Sequence, residues 1–64
     1  MNTAKLRNWK IVNMGDYYKL SGDIYNDSRK EFTDGETVIT SKLKSIDFDL
    51  HVASTMNTFY ELQK

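Results

Sequence analysis

Apolar residues in this chain recur every second position, the period of a half-buried β-strand, and no 11-residue window holds a helical stripe better than it holds alternation. Tyr18, Leu20, Gly22 and Ile24 alternate with Tyr17, Lys19, Ser21, Asp23 and Tyr25. The first set is read as the core face of a strand and the second as its solvent face. Leu6 to Asn13 alternates as well, with Trp9 and Ile11 on one side and Lys10 and Val12 on the other. Val12 is then left to meet a partner subunit or the second side of a barrel. Thr37 to Ser41 is β-branched, with Val38 and Ile39 on opposing faces. Alternation resumes at Leu43, with Ile46, Phe48 and Leu50 opposite Asp47, Asp49 and His51. A typical strand has about 5–6 residues, so this region is divided at a tight turn near Asp49, and a further strand covers Val52 to Thr55. Met56-Asn57 is a turn before a last strand, Thr58 to Leu62.

Punctuation fits that division. Asn13-Met14-Gly15-Asp16 and Asp34-Gly35 carry turn residues. Gly22 occupies a core-face position, where a missing side chain points to a bulge or a sharp bend. Residues 1–5 are polar and expected to fray, and at most one helical turn is expected in Asp27–Phe32. The fold class predicted is all-β: one domain over residues 1–64, a small five- to six-stranded antiparallel meander or an SH3-like or OB-like barrel.

Size sharpens the picture. The chain has 64 residues and no Cys, so neither disulfides nor thiolate metal sites support a core that buries only about 60% of its unfolded surface. Eight aromatics, one Trp, four Tyr and three Phe, supply either a compact core or an oligomer interface. A homodimer or higher homo-oligomer is expected. Nine Lys/Arg balance nine Asp/Glu, so nonspecific nucleic-acid binding is not favoured, although a local basic patch remains open. No apolar run reaches membrane-spanning length and no signal-peptide core is present. A cytoplasmic location, without membrane association, is expected.

Catalytic and metal chemistry have little to stand on. His51 with Asp47 and Asp49 makes a one-sided cluster short of the four ligands of structural zinc, and the glycines match no phosphate loop or dinucleotide fingerprint. A Ser/His/Asp arrangement lacks a place for an oxyanion hole in so thin a domain. We expect no enzyme, no cofactor and no metal. The richest stretch is Tyr25 to Phe32 with its flanks. Arg29 and Lys30 are cationic donors, Asn26 an amide, Tyr17, Tyr25 and Phe32 flat faces, and Thr40 and Ser41 hydroxyls. Arg beside aromatics is what base stacking and phosphate pairing use, and equally what a protein–protein hot spot uses. The competing reading is a solvated hairpin loop, with Arg29 and Lys30 offset by Asp27 and Glu31 and Phe32 turned into the core.

Leu20, Gly22, Ile24, Tyr25, Arg29, Phe32, Asp34, Gly35, Val38, Thr40, Ser41, Tyr60 and Leu62 fall in a pattern that resembles a group of very small proteins of phages and prophages of low-GC Gram-positive bacteria. The pattern runs Leu-x-Gly-x-(Val/Ile)-Tyr-x-x-x-Arg, then Phe-x-Asp-Gly, (Ile/Val)-x-Thr-Ser and Tyr-x-Leu. This chain departs from it at Lys30-Glu31, two extra residues, and at Met56-Asn57, where relatives often carry Gly. The resemblance implies a protein that works in the host cytoplasm by binding. An anti-defence protein that sequesters a nucleotide signal between subunits, or that blocks a host protein, is the leading expectation. A small-barrel nucleic-acid binder and a protein–protein adaptor are the alternatives.

Overall fold

The computed structural model describes residues 2–63. Among the described residues there are six strands and no helix: β1 Asn2–Asn13, β2 Tyr18–Tyr25, β3 Glu36–Ile39, β4 Leu43–Asp47, β5 Val52–Thr55 and β6 Thr58–Leu62. They form one sheet in the order β3-β2-β1-β6-β5-β4. Two three-stranded meanders, β1-β2-β3 and β4-β5-β6, thus meet at their first and last strands. Every neighbouring pair is antiparallel except β1 and β6, which run parallel from Asn2↔Thr58 to Leu6↔Leu62. The all-β, six-stranded expectation holds, and the sheet is mixed where a purely antiparallel one was expected.

The chain crosses from edge strand β3 to edge strand β4 through only Thr40, Ser41 and Lys42. Four peptide steps reach at most about 14 Å, so the two edges lie close together there, and β2 touches β4 across the interior. The sheet therefore curls into a barrel shape. No ladder joins β3 to β4 among the described residues, and the barrel stays open on that side. Its inner face holds Ala4, Leu6, Leu20, Ile24, Val38, Ala53, Tyr60 and Leu62, with Trp9, Phe32, Leu43 and Ile46 packed against them. Leu6, Leu20 and Ile24 are fully enclosed, each contributing about 1.5–3 kcal/mol.

Gly22 has the reason its position suggested. The register of β1 against β2 shifts between Arg7 and Lys10, and Asn8 adopts φ 51°, so β1 bulges toward Gly22. A Cβ on Gly22 would lie 2.8 Å from the Arg7 carbonyl oxygen and 2.9 Å from Leu6 Cγ. The bulge also exchanges the faces of β1, with Ala4 and Leu6 inward before it and Trp9 on the core side after it. Asp23 secures it from outside, accepting Asn8 Nδ2 at 2.9 Å and Thr37 Oγ1 at 2.8 Å. Those two bonds, against a small opposing effect of burial, hold its pKa below the ordinary carboxylate value.

Several expectations shift. Residues 2–5, expected to fray, form the start of β1: they pair with β6, Lys5 also pairs with β2, and Thr3 exchanges two bonds with Ser28, through the Ser28 N–H to its carbonyl at 2.8 Å and its own N–H to Ser28 Oγ at 2.9 Å. Met1, in the same expected segment, lies outside the described residues. Tyr18 lies on the core-facing side of β2 but beyond the core, and is 52% exposed. Phe48 and Leu50 are in the β4–β5 turn, not on a strand face; Asp47 closes that turn by accepting the N–H groups of Asp49 and Leu50. Asp27–Phe32 forms a turn without helix. Among the described residues, no helix is long and apolar enough to cross a membrane.

Candidate functional site

The Asn26–Gly35 loop is built around one carboxylate. Asp27 Oδ1 accepts the Arg29 N–H at 3.3 Å and Arg29 Nε at 3.0 Å, and Oδ2 accepts the N–H groups of Glu31 at 3.0 Å and Phe32 at 3.3 Å. The side chain is 1% exposed. An Asp followed by a short polar run forms such a turn because its side chain stands in for a backbone acceptor. Burial works against the charged carboxylate, but the Arg29 side chain, the two loop N–H groups and the Arg29 charge outweigh it and hold Asp27 below its ordinary pKa. Burial likewise opposes the Arg29 charge; Asp27, and secondarily the Tyr60 phenol, reverse that and raise its pKa.

Arg29 is only half used by this pair. Nε meets Asp27, whereas Nη2 is buried with no hydrogen-bond partner. Among the described residues one other buried side-chain atom shares that condition, Thr58 Oγ1, on a residue 2% exposed. Both residues line the same cleft, of about 150 Å³. Its walls come from the loop (Arg29, Glu31, Phe32), from β3 and the link after it (Val38, Ile39, Thr40, Ser41), and from the start of β6 (Asn57, Thr58, Tyr60). Buried polar groups in folded proteins are nearly always paired. The two orphans belong to residues that line this one cleft.

Of the residues nominated from sequence, the cleft brings together Arg29, Phe32, Thr40 and Ser41. Thr40 is already committed: Oγ1 accepts the Leu20 N–H at 3.0 Å and donates to the Ser41 carbonyl at 2.8 Å. Tyr17, Tyr25, Asn26 and Lys30 lie elsewhere. Lys42 sits over the Tyr17 ring at 5.7 Å and Arg7 over the Tyr25 ring at 4.6 Å. Asn26, at φ 52°, donates its N–H to Asp34 Oδ1, and Lys30 is exposed at φ 57°. Phe32 packs against the core while its ring lies 5.9 Å from the Arg29 guanidinium. Thr58 and Tyr60 were not nominated, though their signal was present. Alternation through Thr58-Phe59-Tyr60-Glu61-Leu62 places a hydroxyl on the same face as buried Tyr60 and Leu62, as the burial of β6 bears out.

Two larger grooves, of about 310 and 480 Å³, share Val52 and Phe59 on the outer face. Neither holds an orphan polar atom, so size alone does not select them. Among the described residues no group of three His, Asp or Glu is placed to hold a metal ion. Comparison with protein-family models, with curated proteins and with solved structures finds no significant match to this chain.

Proposed function

We propose that this protein is a non-catalytic binding protein that seats one small polar ligand in the Arg29–Thr58 cleft. The observation that carries the reading is a pair of buried atoms without a partner, Arg29 Nη2 and Thr58 Oγ1, on two residues that line one cleft. Leaving a buried donor unpaired costs about 1–3 kcal/mol, a large share of the stability of a chain this small. A ligand that pairs both removes that cost on binding. The phage-type, anti-defence setting, with a nucleotide signal as ligand, belongs to this reading through the sequence resemblance. A homo-oligomer belongs to it too, supported by Ile39, which lines the cleft yet is 66% exposed on edge strand β3. A second subunit there would cover both. A stacking platform for single strands draws less support, since Tyr17, Tyr25 and Phe32 are each engaged by a different cation.

Thermal unfolding against a panel of nucleosides, cyclic nucleotides and ADP-ribose derivatives tests the reading. A ligand at 100 times its Kd stabilises the folded state by about 2.7 kcal/mol, and about 1 kcal/mol moves the midpoint of a domain this size by about 4–8 °C. A rise of that order with one class of compound is expected; an unchanged midpoint across the panel contradicts the proposal.

A further inference from the structure

Four of the nine Lys/Arg in the chain fall in one row on the outer face of β1 and β2, and the geometry points to that row as a seat for the phosphate backbone of single-stranded nucleic acid. Residues directly opposite one another in an antiparallel pair share a face. On β2, Lys19, Ser21, Asp23 and Tyr25 alternate with the buried Leu20, Gly22 and Ile24, and so face outward. Their partners on β1 are, in turn, Val12, Lys10, Arg7 and Lys5. Strict alternation along β1 would set Lys10 on the face opposite to Lys5 and Arg7. The register shift between Arg7 and Lys10, with Asn8 at φ 51°, brings Lys10 back beside them. Bulges re-aim side chains in this way. Lys5, Arg7, Lys10 and Lys19 thus occupy four successive rungs, about 6.8 Å apart and about 20 Å from end to end.

The carboxylates beside the row are already engaged. Asp23 accepts Asn8 Nδ2 and Thr37 Oγ1, and Glu61 lies 3.6 Å from Lys5 Nζ. Arg7, Lys10 and Lys19 take part in no ion pair among the described residues. Arg7 lies over the Tyr25 ring at 4.6 Å, which holds its guanidinium against the sheet, and the planar fork matches a phosphate. An even row of cations on an open, convex face is complementary to a linear polyanion rather than a compact one. An acidic peptide gains less here, because β1 and β2 both have strand neighbours and a peptide adds no strand on a sheet face. A duplex is a stiff rod that touches a curled face at few points, whereas a single strand bends to follow it. With the Tyr25 ring taken by Arg7, contact is to phosphates and not to bases, and carries no sequence preference. None of the four cations lines the Arg29–Thr58 cleft, so this surface stands apart from the ligand reading. Zero net charge had argued against such a partner; the balance hides a face where four cations meet two carboxylates.

Anisotropy titration of a labelled oligothymidylate at several salt concentrations tests the row. With four phosphates neutralised, log K is expected to fall against log salt with a slope of about −2.8, at about −0.7 per contact on a single strand. Lys10→Gln combined with Lys19→Gln is expected to bring the slope to about −1.4 and to weaken binding at low salt about tenfold or more. Lys44→Gln, on β4, is expected to change neither. Arg7→Gln alone is expected to reduce the steepness by about 0.7, an independent check should the double variant melt lower than wild type. Absence of binding at low salt, or a slope near zero, overturns the inference. So does a double variant that binds like wild type. Tighter binding of a duplex of the same length overturns it in favour of a rod-like partner. Displacement of the strand by polyglutamate at a lower concentration of charge overturns it in favour of an acidic protein.

Discussion

Asp27 grips Arg29 at one nitrogen only: Oδ1 lies 3.0 Å from Nε, and Nη2 on the same guanidinium is buried without a partner. A single carboxylate thus folds the loop and holds the cation, on a residue that lines the cleft. Under the proposed function, structural and binding roles divide within one side chain.

That division makes the loop sensitive to acid. Asp27 is held below its ordinary pKa in the folded protein, so its contribution is complete above the unfolded value, about 3.9, and is lost as pH falls through the folded value. Asp23, shifted the same way, adds to the loss in the same window. Urea unfolding is expected to give a flat stability from pH 7 to about pH 5 and a decline below about pH 4. Asp27→Asn is expected to cost about 2–4 kcal/mol at pH 7, with a gap to wild type that narrows as pH drops. A gap of the same size at pH 3 and pH 7 would show that the carboxylate charge is not what holds the loop.

Gly22→Ala tests the bulge. The added Cβ would meet the backbone oxygen of Arg7 at 2.8 Å and the enclosed Leu6 side chain at 2.9 Å, and neither can move cheaply. Overpacking of this kind costs about 1–3 kcal/mol, read as a fall in the denaturant midpoint with little change in slope. A neutral substitution would mean that β1 does not approach β2 there.

Thr40→Val separates scaffold from site. Thr40 was nominated as a ligand hydroxyl, but its oxygen already serves the Leu20 N–H and the Ser41 carbonyl. Removing it leaves the buried Leu20 N–H without that acceptor, at about 1–3 kcal/mol. Stability is expected to fall while ligand affinity per folded molecule stays within about twofold of wild type. Loss of affinity at full stability would return Thr40 to the binding set.

These cases show where the chain could be read and where it could not. Period-two alternation recovered the final strand, Thr58–Leu62, to the residue, and strand length correctly divided Leu43–Thr55. Parallel pairing of β1 with β6 was not legible, because alternation reports which face a residue takes and not which strand lies beside it. The order of residues 2–5 stayed hidden for the same reason: their support comes from β6 and Ser28, far away in sequence. In the site, Arg29 and Phe32 stood out by residue type, and the structure carries two parts of the hairpin-loop reading, Arg29 offset by Asp27 and Phe32 turned to the core. Tyr17, Tyr25, Asn26 and Lys30 were grouped with them by nearness along the chain, which the curl of the sheet undoes. Alternation put the Thr58 hydroxyl on the inward face of β6, but that it lacks a partner shows only in the structure.

The most direct test is a two-dimensional NMR titration of uniformly labelled protein with the nucleosides, cyclic nucleotides and ADP-ribose derivatives of the melting panel. The expected result is a set of ligand-dependent shifts confined to Arg29, Phe32, Ser41, Thr58 and Tyr60, with the Arg29 side-chain N–H and the Thr58 methyl among the largest. Shifts centred on Val52 and Phe59 at the outer grooves, or a spectrum that moves with none of these compounds, would contradict it.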